Sequence, residues 1–145
     1  MYLLDTNVVS ELRKAKSQKS HPGVDAWARS VPASSMFISV ITVLELEQGE
    51  MLIRRRDASQ AKLLRAWIDS FVLPSFAGRI LSIDLAVAQR CAALHVPNPR
   101  ADRDSLIAAT ALVHDMTLVT RNVGDFTATG ASILNPWDSR SSSSN

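Results

Sequence analysis

The chain has 145 residues, of which 46% are hydrophobic and 21% charged, values that are ordinary for one globular domain. Lys and Arg outnumber Asp and Glu by only 16 to 14, so the charge balance does not by itself indicate a nucleic-acid-binding protein. No apolar run approaches the roughly 18 residues of a membrane span, and Asp5 interrupts any signal-peptide pattern. The single cysteine, Cys91, excludes an internal disulfide, and we therefore expect a cytoplasmic protein.

The first half of the chain is predicted to contain two strands and four helices. The strands are expected at residues 2–4 and 36–41, and the helices from residue 8, over 24–31, from 42 to about 56, and over 58–72. Pro22 suits the start of the second helix. Thr42 and Glu45 have capping-box spacing, which predicts that the long third helix begins there.

The second half continues the alternation of strands and helices. We predict strands at 79–83, 116–120 and 132–135, and helices over 85–96, after Asp84 as N-cap, and over the alanine-rich segment 102–115. No linker or repeat divides the chain, so residues 1–138 are expected to form one domain. The Ser-rich tail, 139–145, is expected to be disordered.

Strands that alternate with helices and are wholly apolar are typical of a parallel sheet covered by helices on both faces. The sequence therefore predicts an α/β sandwich of three layers. In such folds the loops that follow the strands meet at the carboxyl edge of the sheet, where functional sites lie. Asp5, directly after the first strand, is expected at this edge.

Three further acids follow strand ends or begin helices, namely Glu45, Asp104 and Asp125, the last in a loop that also carries Asn122. Asp102 is interpreted as the N-cap of the alanine-rich helix, which places Asp104 in its first turn. Gly49, four residues after Glu45 on the same helical face, is expected to allow close backbone approach and to mark that face as inward. In a parallel sheet these segments can converge on one edge. The partial positive charge of each helix N-terminus helps to hold an acid there in its ionised form.

A cluster of carboxylates needs compensation, because two such charges 4 Å apart repel by roughly 4 kcal/mol at an effective dielectric of 20. A shared proton or a divalent cation would supply it. Oxygen ligands suit Mg²⁺ or Mn²⁺, whereas the histidines and Cys91 lack the spacing of a zinc site. Carboxylate-bound hard metals typically serve hydrolysis of phosphate esters.

Each acid also has a purely local interpretation. Asp5 and Glu45 are compatible with helix capping, and Asp125 lies in a Gly-containing turn where acids are common. Two basic stretches, at 13–19 and 54–56, could contact RNA phosphates or could simply be solvated. No single residue decides between these interpretations, and the combination of four compatible positions favours a metal site.

Five segments, in order and over nearly the whole chain, resemble the PIN-domain nucleases, specifically the VapC- and FitB-like toxins of bacterial toxin–antitoxin pairs. They are LLDTNVVSEL, SVITVLELEQG, DSLIAATA, LVTRNVGDF and ILNPW. The segments SFAGRILSID and NPW resemble the FitB-like branch in particular. The resemblance implies a PIN-like three-layer sandwich with a mostly parallel central sheet and Mg²⁺- or Mn²⁺-dependent RNA hydrolysis.

The resemblance also assigns roles to residues. It makes Asp5, Glu45 and Asp104 the core metal-binding acids. The family often has a fourth acid directly after the Thr-Arg pair, where this sequence has Asn122, and Asp125 could supply charge nearby. Thr6 and Thr120 match positions that help to hold the metal shell or a water.

Partners are likewise implied by the resemblance. It implies a homodimer and a cognate antitoxin whose C-terminal segment blocks the acidic groove, where an antitoxin Arg could pair with the carboxylates. The helices over residues 42–72 resemble the clip that grips the antitoxin and the second subunit. A larger toxin–antitoxin assembly is possible on the same grounds.

Alternative functions stay open at this point. The chain could be a DNA-directed nuclease, since phosphodiester chemistry at a metal is similar for DNA and RNA. It could also be an RNA- or protein-binding module with a weakened site, for which Asn122 is the only hint. Phosphatases that form an aspartyl-phosphate are disfavoured, because they often carry a second acid two residues after the first, where this chain has Asn7.

Overall fold

The computed structural model describes residues 1–138, apart from the side chain of Lys16. Five strands form one parallel sheet, in the order β3-β2-β1-β4-β5. They are β1 (Tyr2–Leu4), β2 (Met36–Ser39), β3 (Ile80–Leu81), β4 (Thr117–Val119) and β5 (Ile133–Leu134). The predicted parallel α/β sheet is confirmed, and the predicted Ser-rich tail lies outside the described residues.

The helices connect the strands in the predicted alternation. They are α1 (Thr6–Leu12), α2 (Pro22–Ser30), α3 (Val40–Arg54), α4 (Ala58–Trp67), α5 (Leu73–Ser75), α6 (Leu85–Leu94), α7 (Asp102–Val113) and α8 (Val123–Phe126), with a π-helical turn (Ile68–Val72) between α4 and α5. Between residues 1 and 138, no helix combines the length and the apolar character needed to cross a bilayer.

The two faces of the sheet support separate hydrophobic cores. Neighbouring residues of β1 point to opposite sides: Leu4 packs in a cluster with residues of α1, α3 and α4, and Leu3 packs with residues of α7. Both leucines are fully buried. A strand buried on both faces reads as a continuous apolar run, which is why these short strands show no polar alternation.

The centre of the sheet positions the site. The chain adds β2 and β3 on one side of β1 and then β4 and β5 on the other, so the strand order reverses at β1. Ligand sites in open α/β sheets lie at this reversal, beyond the carboxyl ends of the strands. The backbone N–H of Asp5 donates to the carbonyl of Val119 at 2.9 Å, which fixes the end of β1 against β4.

Two predicted N-caps are wrong. Helix α3 begins at Val40 rather than at Thr42, because the Ser39 side chain accepts the N–H of Ile41 and caps the helix three residues earlier. Glu45 consequently lies in the second turn. Asp102 is the first residue of α7 and not its N-cap, a position that Ala101 takes without a side-chain hydrogen bond.

The cap predicted at Asp84 is confirmed, since its side chain accepts the N–H of Val87 at 2.9 Å.

The interpretation of Gly49 is wrong. A Cβ atom built there meets no described atom within 4 Å, so no close backbone approach requires the glycine. Close approach occurs instead at Gly23, where a Cβ would lie 2.4 Å from the main-chain oxygen of Pro136.

We predict opposite effects for alanine at these two glycines. Gly23→Ala forces α2 away from the segment that follows β5, and should lower the free energy of unfolding by about 1–3 kcal/mol. Gly49→Ala fills open space in a helix interior and should raise it by about 0.5–1 kcal/mol. Urea unfolding of both variants measures the difference, and a neutral Gly23→Ala would contradict the close contact.

Candidate active site

Asp5 is held at the carboxyl end of β1 by hydrogen-bond donors. Its side chain is nearly buried, with the residue 6% exposed. The N–H of Thr6 donates to Oδ1 at 2.8 Å, and the Thr120 hydroxyl donates to Oδ2 at 2.8 Å. Burial nevertheless outweighs these two bonds and raises the pKa of Asp5, and the charges of Glu45 and Asp125 raise it further.

Glu45 is fixed from the neighbouring helix. The hydroxyl of Thr6, the first residue of α1, donates to Glu45 Oε1 at 2.6 Å. The buried Thr42 hydroxyl lies 3.2 Å from the same Thr6 oxygen, so α1 and α3 meet through polar side chains at this edge. Thr6 thereby orients two acids, Asp5 through its N–H and Glu45 through its hydroxyl.

The other two acids come from the opposite side of β1. Asp104 lies in the first turn of α7, and Asp125 lies in the first turn of α8. Burial raises the pKa of Asp104, and the charges of Asp5, Asp125 and Glu45 raise it in addition. The fold therefore brings all four predicted acids into one electrostatic cluster, although they are spread over 121 positions of sequence.

Asn122 reaches the cluster through its main chain. Its N–H donates to the Thr120 hydroxyl at 3.0 Å, and that hydroxyl in turn donates to Asp5. The N–H of Arg121 donates to Asn7 Oδ1 at 3.3 Å, and Asn7 Nδ2 lies 3.4 Å from Asp5 Oδ2. The loop after β4 is thus tied to the loop after β1, and Asn7 is a contact that sequence reasoning missed.

Two arginines beside the acids were also missed. Arg103 Nη1 lies 3.9 Å from Glu45 Oε2, which is the one ion pair that any of the four acids forms within residues 1–138. Arg100 lines a cavity of about 150 Å³ together with Asp104 and Asp125. The signal was available in RADRD, residues 100–104, where arginines alternate with acids.

The chemistry of the donors fits a hard divalent cation. The cluster offers carboxylates, hydroxyls and an amide, and all of their acceptor atoms are oxygens, as Mg²⁺ and Mn²⁺ prefer. Besides burial, the charges of neighbouring carboxylates raise the pKa of Asp5 and of Asp104, so a positive charge would relieve this repulsion. Within residues 1–138 no three Asp, Glu, His or Cys side chains are already gathered as a metal-ligand group. The fit therefore rests on donor type and charge, not on a ready-made ligand geometry.

Thr120 is predicted to be essential for the order of this cluster. Thr120→Val removes the hydroxyl that supports Asp5 Oδ2 and leaves the N–H of Asn122 without its acceptor. We expect the free energy of unfolding to fall by about 1–3 kcal/mol, the cost of unsatisfied polar groups. Thr117→Val, at a partly buried position of β4, the strand that Thr120 directly follows, is the control, and equal losses in both variants would contradict a specific role for the Thr120 hydroxyl.

Comparison with known proteins agrees with this architecture. Residues 2–130 match the family described as PIN domain. A curated relative, "VapC ribonuclease Y4jK" of Sinorhizobium fredii, is 36% identical over 95% of this chain and 99% of its own length. The crystal structure of FitAcB from Neisseria gonorrhoeae superposes with a TM-score of 0.84 at 36% identity, covering 94% of this chain and 99% of the other. A toxin–antitoxin complex from Klebsiella pneumoniae gives 0.68 at 25% identity, covering 95% and 99%.

Proposed function

The chain belongs to the PIN-domain family, and on that premise we propose that it is a metal-dependent endoribonuclease, the toxin of a toxin–antitoxin pair. The observation that carries the proposal is the cluster of four carboxylates at the carboxyl edge of the sheet, in which burial and mutual repulsion raise the pKa values of Asp5 and Asp104. The ribonuclease activity is supported by the relative from Sinorhizobium fredii.

Mg²⁺ or Mn²⁺ is the proposed cofactor, held by Asp5, Glu45 and Asp104. Such an ion supplies an activated water and neutralises charge on a phosphodiester. The protein's part is to orient the carboxylates. Thr120 and the N–H of Thr6 fix Asp5, and the Thr6 hydroxyl fixes Glu45, so that rotation of either acid is restricted before a substrate arrives.

Asn122 and Asp125 are proposed to complete the site on the side of α8. Asp125 is exposed and adds its charge to the fields at Asp5 and Asp104. Asn122 occupies the place of the family's fourth acid and is exposed, so its side-chain carbonyl is available to orient a water. The exchange of an acid for an amide lowers the negative charge of the site by one.

A protein partner is supported by the exposed surface of α3 and α4. Large apolar side chains that an isolated domain would be expected to bury are exposed there: Leu44, Met51, Leu52 and Leu63, and also Phe71 in the following π-turn. Other apolar residues of the same helices, such as Leu46 and Leu64, belong to the core. We propose that this exposed surface binds the cognate antitoxin and a second copy of the chain. A toxin–antitoxin complex is among the similar solved structures, which supports a protein partner.

The direct test is incubation of antitoxin-free protein with a mixed single-stranded RNA pool in Mg²⁺, Mn²⁺ or EDTA. We expect cleavage with a divalent cation and none in EDTA. A matched DNA pool separates ribonuclease from deoxyribonuclease activity. Binding of RNA without cleavage in any of the metals would contradict the proposal and favour a binding module.

A further inference from the structure

The cavity lined by Arg100 has a chemistry of its own beside the acidic cluster. Its volume is about 150 Å³. It is lined by one arginine, two carboxylates, two hydroxyl side chains and one alanine, namely Arg100, Asp104, Asp125, Ser105, Thr129 and Ala101. Pockets for drug-sized ligands are larger, about 300–1,000 Å³. The space therefore suits one planar ring system rather than a whole dinucleotide.

The guanidinium of Arg100 is held in place by main-chain atoms. Its Nε donates to the carbonyl of Leu94 at 2.8 Å, and Nη2 donates to the carbonyl of Ala128 at 3.3 Å. The backbone N–H of Arg100 donates to His95 Nδ1 at 3.1 Å. The side chain thus bridges the C-terminal end of α6 and the turn after α8, and its orientation is set before any ligand binds.

Arg100 keeps donors available in spite of these bonds. A guanidinium has five N–H groups, and the two carbonyls use only part of them. Within residues 1–138 Arg100 forms no ion pair, although Asp104 and Asp125 line the same cavity. The lining of the cavity therefore combines fixed cationic donors with carboxylate acceptors.

This combination of donors and acceptors favours binding of some chemical groups of a nucleic acid over others. A phosphate offers only acceptors and would face both carboxylates. Guanine offers acceptors, O6 and N7, on one edge, which Arg binds in a bidentate manner, and N–H donors on its Watson–Crick edge. Adenine places an amino group beside N7, where it would oppose the guanidinium. Unstacked bases of single-stranded RNA are accessible to such side-chain contacts.

We propose that the Arg100 cavity binds a guanine base of single-stranded RNA, with Arg100 donating to O6 and N7 and Asp125 accepting from the Watson–Crick edge. Since Asp104 belongs both to the cavity and to the proposed metal site, the guanine lies next to the bond that is cleaved. The inference rests on the proposed function for this placement, whereas the recognition of guanine depends only on the cavity.

The test uses neutral nucleosides, so that neither phosphate nor metal contributes. Guanosine, 7-deazaguanosine and adenosine are titrated into the protein in EDTA and followed by NMR. We expect guanosine to shift the amide signals of Ser105 and Thr129, and to bind about tenfold or more tightly than 7-deazaguanosine, which lacks N7, or adenosine. Equal affinities, or shifts confined to other regions, would overturn the proposal, and so would displacement of guanosine by inorganic phosphate.

Two variants separate base recognition from charge. Arg100→Lys keeps the positive charge but loses the planar fork, so the preference for guanosine over 7-deazaguanosine should disappear. Arg90→Lys, on an exposed position of α6, is the matched control and should keep the preference. If Arg100→Lys does not fold, the nucleoside series with the parent protein decides the question alone.

The experiments can contradict the proposed guanine site and the proposed nuclease function separately. An RNA that is cleaved with no guanine preference, together with equal nucleoside affinities, would overturn only the assignment of the cavity. Selective guanosine binding by a chain that cleaves no RNA would support the cavity and contradict the nuclease. If both hold, cleavage should fall at a fixed position relative to guanine and weaken about tenfold or more with 7-deazaguanine there.

Discussion

Asp104→Asn is expected to lower the rate of RNA cleavage by about 10²–10³-fold, whereas Asp102→Asn should leave it close to that of the parent protein. Both acids lie in the first turn of α7, so the pair holds helix position and charge type constant. Burial raises the pKa of Asp104, and the charges of the other carboxylates in the cluster raise it further. A ligand to a catalytic metal supports several kcal/mol of charge stabilisation, and each 1.4 kcal/mol is about a factor of ten in rate.

The control is favourable because the side chain of Asp102 is 92% exposed and lies 3.8 Å from His95 Nε2. An exposed pair of this kind contributes little to stability. Initial rates on one RNA substrate, measured at saturating Mn²⁺ after circular dichroism has shown folding, give the comparison. Similar losses in both variants would mean that α7 needs acidic residues for a general reason, and would remove Asp104 from the proposed metal site.

The sheet was predictable from sequence because its strands are buried on both faces. Short apolar runs separated by helical periodicity leave few alternatives to a parallel α/β sheet. The position of Asp5 at the edge of the sheet was equally predictable, since a carboxylate directly after a buried strand requires an exposed strand end or a partner. Convergence of acids from four separate segments at this edge then follows from the fold class.

The N-caps of two helices were not predictable, because local signals compete. Ser39 and Thr42 are both good N-caps three residues apart, and packing of Ile41 in the core that contains Leu3 favours the earlier start. The shift explains why Glu45 is oriented by Thr6 from another helix and not by a capping box. Arg100 was missed for a related reason, since its partners, Leu94 and Ala128, are main-chain carbonyls that carry no signal in the sequence.

In the absence of metal, the stability of the Asp5→Asn variant is expected to increase relative to that of the parent protein as the pH rises. The same substitution is expected to abolish RNA cleavage. Asp5 has a pKa of about 3.8 in an unfolded chain, and burial raises it in the folded protein. The folded state then binds more protons than the unfolded state between these two values, so the parent protein loses stability as the pH rises through that interval. Each unit of pKa shift corresponds to about 1.4 kcal/mol. The variant carries no such group.

The difference between the two proteins cancels the acids whose pKa the substitution does not affect. Ion pairing with Arg65, for example, lowers the pKa of Glu47 equally in both. The difference leaves the contribution of Asp5 together with the part of the raised pKa of Asp104 that the charge of Asp5 causes, and both have the same sign. Thermal unfolding in EDTA from pH 4 to pH 8 should therefore show that the unfolding temperature of the variant rises relative to that of the parent protein, in which Asp5 loses its proton beside Glu45 and Asp125 as the pH increases. Asn itself loses the hydrogen bond from Thr120, so the slope with pH is the diagnostic quantity and not the offset.

Addition of Mg²⁺ or Mn²⁺ should reverse this order, because an ion that binds only the folded state stabilises it by RT ln(1 + [L]/Kd). The unfolding temperature of the parent protein should rise, and that of the variant, which lacks one proposed metal ligand, should rise much less. A parent protein whose unfolding temperature ignores both cations, or a variant that responds equally, would contradict a metal at Asp5. The buried acid at the end of β1 would then lack the compensating positive charge that the proposed metal would supply.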